Sequence, residues 1–124
     1  MVYKSFEELE VYKAAREFRK KIYQSARNLP RDEEFNLKPQ MMRAAVSLTN
    51  NIAEGHGRYH YQENIQFCRH SRGSLSELID DLNVCLDEKY FSEDSIQRLK
   101  EEAYDVIKIL NGYVAYLKKR KEST

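Results

Sequence analysis

Four glycines and two prolines in 124 residues leave this chain few places to turn. Those two residue types are the strongest local punctuators of a chain, so their scarcity implies long, uninterrupted elements. Long elements in a chain of this length are helices. No segment alternates apolar and polar residues as a half-buried strand does, and apolar residues recur instead at steps of three and four. The pattern predicts an all-α fold: one up-down-up-down four-helix bundle over residues 1–124, with helices at about 6–28, 39–54, 61–88 and 93–119. Short links between successive helices favour antiparallel neighbours.

In the first helix Val11, Ala15, Phe18, Ile22, Ala26 and Leu29 form one apolar stripe, and Pro30 ends the element. Ser5 and Glu8 have the spacing of a capping box ahead of it. The polar linker that follows holds one large apolar residue, Phe35, expected to fold back onto the bundle. Pro39 is read as the first residue of the second helix and Gly55 as its stop. That helix is apolar or small on most sides (Leu37, Met41, Ala44, Ala45, Leu48 and Ile52, then Val46, Thr49 and Ala53), so other helices or another subunit should wrap it. The third helix carries Ile65, Cys68, Leu75, Leu78, Ile79, Leu82, Cys85 and Leu86. Its stripe skips the turn at Ser71 and Arg72, and Gly73 there suggests a close neighbour. Ser92 caps the fourth helix, where Ile96, Leu99, Ala103, Val106, Leu110, Tyr113 and Leu117 step 3-4-3-4-3-4 as a heptad seam.

Charge limits the functional classes. The net charge is +1, with 11 basic and 8 acidic side chains in residues 1–61 and 10 and 12 in residues 62–124. Dedicated nucleic-acid binders are usually more basic. No apolar run approaches the ~18 residues of a membrane span, and the start of the chain, Met1-Val2-Tyr3-Lys4, leads into no signal-peptide core. The expected location is cytoplasmic, without a membrane partner. Cys68 and Cys85 fall on one helix about 25 Å apart, too far to pair, and read as small buried hydrophobes.

No catalytic constellation can be assembled, and the chain reads as not an enzyme. His56, His60 and His70 are the only histidines. The residues three before them are Ala53, Gly57 and Phe67, so the Glu-x-x-His pair of di-iron bundles is missing. Nothing directs Cys68 and His70 toward His56 and His60 as a zinc site. No phosphate-binding glycine loop is present. The reading assigns no metal and no cofactor. What remains is basic: Arg16, Arg19, Lys20 and Lys21 on the first helix, and Arg58, Arg69 and Arg72 with Tyr59 and Tyr61 around the start of the third. Arginine and tyrosine together contact phosphates and stack on unpaired bases. The competing reading is of ordinary solvated arginines paired with nearby acids.

Four stretches then make a resemblance. Ser5-Phe6-Glu7-Glu8-Leu9-Glu10-Val11-Tyr12 opens the chain. Gln40-Met41-Met42-Arg43-Ala44-Ala45-Val46-Ser47-Leu48-Thr49-Asn50-Asn51-Ile52-Ala53-Glu54-Gly55 is the central signature. Arg72-Gly73-Ser74-Leu75-Ser76-Glu77-Leu78 and Leu110-Asn111-Gly112 follow. Over about residues 5–117 the chain resembles the four-helix-bundle proteins encoded in intervening sequences of large-subunit ribosomal RNA genes. These are related to the accessory variability determinant of diversity-generating retroelements. The resemblance implies a bacterial, cytoplasmic homo-oligomeric ring, a pentamer, with no established catalysis. It also implies binding of structured RNA or DNA, or assistance to a partner such as a reverse transcriptase. A ring would give the second helix its subunit partners, which makes Ala44, Ala45, Leu48 and Ile52 the candidate oligomer interface. The alternative is an oligomeric protein-interaction scaffold using exposed aromatics such as Tyr104, Tyr113 or Tyr116. Two features depart from the family pattern: Lys38-Pro39 stands where a Thr or Ser cap is expected, and the charge is nearer neutral than in the retroelement relatives.

Overall fold

The apolar steps of the four helices turn inward onto one core. The computed structural model describes residues 5–123; residues 1–4, which belong to the N-terminal stretch read above, and residue 124 lie outside the described residues. The helices are α1 (Glu10–Arg27), α2 (Leu37–His56), α3 (Tyr61–Asp87) and α4 (Glu93–Glu122), and no strand occurs among the described residues. α1 and α3 each pack against both α2 and α4, closing a four-membered bundle; the α2–α3 contact is the most extensive and α1–α4 the least.

The predicted stripes fill the core. Val11, Ala15, Phe18, Ile22 and Ala26 of α1 are buried against Met41, Ala45, Leu48 and Ile52 of α2, with Ile65, Leu75, Leu78 and Leu82 of α3 and Ile96, Ala103, Val106 and Leu110 of α4. Ser71 accounts for the skipped turn of α3: it is fully buried, and its hydroxyl donates to the Leu48 carbonyl at 2.8 Å. On α4 the seam ends differently from its heptad spacing. Val114 and Leu117 are buried, whereas Leu99 and Tyr113 are only half-buried. A straight helix drifts from a strict 3.5-residue repeat, so over 30 residues the inward stripe moves.

Several boundaries differ from the sequence reading. Ser5 caps a short 3-10 turn, Phe6–Glu8, by accepting from the Glu7 N–H at 3.0 Å, and α1 starts after the extended residue Leu9. α2 begins at Leu37, so Pro39 is its third residue; the missing N–H is still harmless because first-turn donors have no intrahelical acceptor. Glu33 supplies the missing cap. Its carboxylate accepts from the Leu37 N–H at 3.3 Å, from Asn36 at 3.1 Å and from the Tyr90 hydroxyl at 2.6 Å, which ties the α1–α2 linker to the α3–α4 turn. Phe35 does not fold back; it is 95% exposed. Gly55 does not stop α2. It is buried inside the last turns, and Gly57 is the C-cap. Gly73 has open space rather than a neighbour beside it.

Candidate nucleic-acid interface

The predicted basic-aromatic group divides once its partners are known. Arg58 lies in the short α2–α3 connection. Its guanidinium meets Glu54 at 3.1 Å and Glu63 at 3.7 Å and lies over the Phe67 ring at 4.9 Å. Two carboxylates on one guanidinium leave little charge for a phosphate. Arg72 donates to Asn111 Oδ1 at 2.8 Å, fastening α3 to α4 without neutralising the guanidinium. Arg69 is exposed and makes no hydrogen bond or ion pair among the described residues. Tyr59 is 92% exposed and Tyr61, the first residue of α3, is half-buried. The structure therefore brings Arg58, Tyr59 and Tyr61 together at one end of the bundle. Arg69 and Arg72 stand roughly 12 and 16 Å further along α3.

A second basic surface runs along α1. Lys21 reaches Glu102 on α4, and Lys20 reaches Glu17 at 3.4 Å. Arg19 is different, since it donates to the Thr49 hydroxyl of α2 at 2.8 Å and keeps its charge. Arg16 is exposed with no partner among the described residues, and Arg27 lies over the Tyr23 ring at 5.6 Å. Arg19, Lys20, Tyr23 and Arg27 line an open groove whose α2 wall is Val46; Glu17 is the one acid lining it among the described residues. Tyr23 and Arg27 were not singled out from the sequence. The signal that would have found them is the spacing Tyr12–Arg16–Arg19–Tyr23–Arg27, which puts five residues on one edge of α1 beside its apolar stripe.

Ala44, Ala45, Leu48 and Ile52 were expected to face another subunit. All four are buried within the single chain, where they face the other helices of the bundle. A stripe apolar enough to bury against a subunit is apolar enough to bury against its own neighbours first. The outward side of α2 carries Arg43, Val46, Asn50 and Ala53 instead. Of the histidines, His56 lies in the last turn of α2 and His60 is the N-cap of α3. Among the described residues no group of three or more His, Cys, Asp or Glu side chains could hold a metal ion. Cys68 and Cys85 are buried free thiols whose pKa values burial pushes up to about 11, so neither is an activated nucleophile.

A family model described as 23S rRNA-intervening sequence protein matches residues 7–112. The chain belongs to this family. The match spans all of α1–α3 and most of α4, including both basic surfaces. A crystal structure of a protein of unknown function from the S23 ribosomal protein family of Bacteroides thetaiotaomicron superposes with a TM-score of 0.78. It is 18% identical and covers 85% of this chain and 95% of its own, so it supports the fold. No curated protein matches the chain. No described helix of this family member is long and apolar enough to cross a membrane.

Proposed function

We propose that this 23S rRNA-intervening sequence protein is a non-enzymatic, homo-oligomeric protein that binds the phosphate backbone of structured RNA through the α1–α2 groove. The supporting observation is the contrast in charge pairing. Arg19 and Arg27, which line the groove, and Arg16, exposed on the same edge of α1, have no carboxylate partner among the described residues, whereas Arg58 has two. Unpaired cations displace the counterions of a nucleic acid, while a paired one must first give up its own acid. Thr49 and Tyr23 hold Arg19 and Arg27 in place, which lowers the ordering cost of binding. The family description makes a ribosomal RNA fragment the first ligand to test. Assembly into a ring, a pentamer in this reading, would repeat a modest patch several times and offset the chain's low net charge of +1.

The test is fluorescence anisotropy with a structured ribosomal RNA fragment, at low and physiological salt, on protein of measured mass. Affinity should fall steeply with salt, and reversing Arg16 and Arg27 together to Glu should weaken binding at least tenfold and flatten the salt slope by about 2. Reversing Arg58 and Arg69 should have the smaller effect. No binding at low salt sinks the reading. It would then favour an oligomeric protein-interaction scaffold, which has its own support in Phe35, almost fully exposed on the linker, and in Tyr104 and Tyr116, each about half exposed.

A further inference from the structure

The end of the bundle where α2 meets α3 contains a small cavity of about 190 Å³. Its walls are aromatic: Tyr59 and Tyr61 from the start of α3, Tyr113 and Tyr116 from α4. Tyr113 and Tyr116 are stacked, with centroids 6.3 Å apart and ring planes at 18°, and Tyr59 meets His60 edge-on at 4.9 Å. Asn64 is the buried polar group lining the cavity, and its amide donates to the Tyr113 hydroxyl at 3.1 Å. Ligand pockets for drug-sized molecules run to ~300–1,000 Å³. The cavity on this chain is smaller and fits a single planar ring system.

Its charge selects which kind of ring. Among the described residues that line it there is no carboxylate; Arg58 lies there too, but Glu54 and Glu63 take up its charge, so the positive charge near the cavity comes from the neighbouring groove. A second, open groove shares Tyr59, His60 and Tyr61 and continues past Gln62 to Lys121, whose ammonium donates to the Gln62 side chain. Arg120 lies beside the Tyr61 hydroxyl, which raises its pKa. The α3 N-terminus opens on the same end with no side-chain cap on its first-turn N–H groups. Four tyrosines would also suit a quaternary ammonium, but the basic surroundings oppose a cation. A flat π-ring that carries an anion satisfies both the walls and the rim.

We propose that this cavity accepts one unpaired base of a single-stranded nucleic acid, with the adjoining phosphate in the groove at Gln62, Arg120 and Lys121. The proposal rests on the nucleic-acid reading above and adds to it the state of the strand: the α1–α2 groove follows backbone, and the end cavity requires an unpaired nucleotide. A hairpin loop or a frayed end offers such a base, and a fully paired duplex does not.

The experiment compares a fluorescein-labelled single-stranded octanucleotide with a blunt duplex of the same length, both titrated with the full chain. Stacking on an aromatic side chain is worth enough per base that the wild type should prefer the single strand about tenfold. Tyr59→Ala should abolish that preference and leave duplex affinity unchanged. Tyr59→Phe should retain it. Because Tyr59 is 92% exposed, the alanine variant keeps its fold, checked by its thermal midpoint. Adenosine monophosphate should compete with the octanucleotide, and tetramethylammonium should not. Equal preference in wild type and Tyr59→Ala overturns the proposal while leaving backbone binding in place. Competition by tetramethylammonium instead of the nucleotide overturns it in favour of a cation cage. Binding of neither nucleic acid overturns this proposal and the reading it rests on.

Discussion

Gly55 sits in the last turns of α2, where α3 passes close by. A Cβ built there would lie 2.7 Å from Asn64 Oδ1 and 2.9 Å from Phe67 Cβ. The second of these is fixed to the α3 backbone and cannot swing away. The glycine therefore acts by absence of a side chain, letting α3 approach and holding Asn64 against the end cavity. Alanine is the better helix former by about 1 kcal/mol, but overpacking here should cost more. Gly55→Ala should lower stability by about 1–3 kcal/mol in a urea titration, and a neutral or stabilising result would mean that the two helices slide apart freely. Asn64 follows from the same contact. It is buried, bonded to Tyr113, and within 3.7 Å of the Cys68 sulfur, so it links α2, α3 and α4 at one point.

At the scale of the element, the ends of the helices are set by different devices. Ser92 caps α4 by accepting from the Ser95 N–H at 3.1 Å, as its sequence context predicts. The end of α3 has no glycine, yet it closes in a Schellman motif. The Lys89 N–H bonds the Leu86 carbonyl at 3.1 Å and the Tyr90 N–H bonds the Cys85 carbonyl at 2.9 Å. Lys89 takes the left-handed position, with φ of 61°. That conformation costs a residue with a Cβ roughly 1 kcal/mol. Lys89→Gly should stabilise the protein by about 0.5–1 kcal/mol, read as a rise in the thermal midpoint with α3 otherwise unchanged. Tyr90 keeps the turn in place through Glu33. Their hydrogen bond lowers the Glu33 pKa and pushes Tyr90 up to about 12.

For the whole molecule, Asp81 sets a pH dependence. It is 2% exposed between α2 and α3; Gln40 donates to one carboxylate oxygen at 2.6 Å, and the other oxygen has no hydrogen-bond partner among the described residues. Burial raises its pKa to about 6, with Glu77 and Asp80 adding to the rise and Gln40 opposing it. A carboxyl whose folded pKa lies above its unfolded value is bound to its proton more tightly in the native state. Its cost to folding is thus absent below about pH 4 and grows as pH rises toward 6. Asp81→Asn keeps an acceptor for Gln40 and removes the buried charge. The variant should be more stable than wild type at pH 7.5, by on the order of 1–2 kcal/mol, and the gap should close near pH 4. Parallel stability curves for the two proteins would show that Asp81 is hydrated in the native state.

The sequence by itself determined that this chain makes four long helices, and which side of each turns inward. Too few turn residues and a persistent three-four spacing permit little else, and burial of the stripes is the largest favourable term in folding. It also determined the family, because motifs such as Gln40–Gly55 are contiguous. Only the tertiary structure decided which charges remain unpaired. Arg58 and Arg19 look alike in sequence, but the fold and the local helix turns place Glu54 and Glu63 beside the first and Thr49 beside the second. It alone decided that Ala44, Ala45, Leu48 and Ile52 bury within the chain, that Gly55 is a point of close approach rather than a stop, and that Phe35 stays in solvent. Hydrophobic spacing is a property of one helix and can be read along the chain. Close approach, the end cavity and cross-helix partners such as Thr49 for Arg19 depend on where separate helices meet, which no single segment encodes.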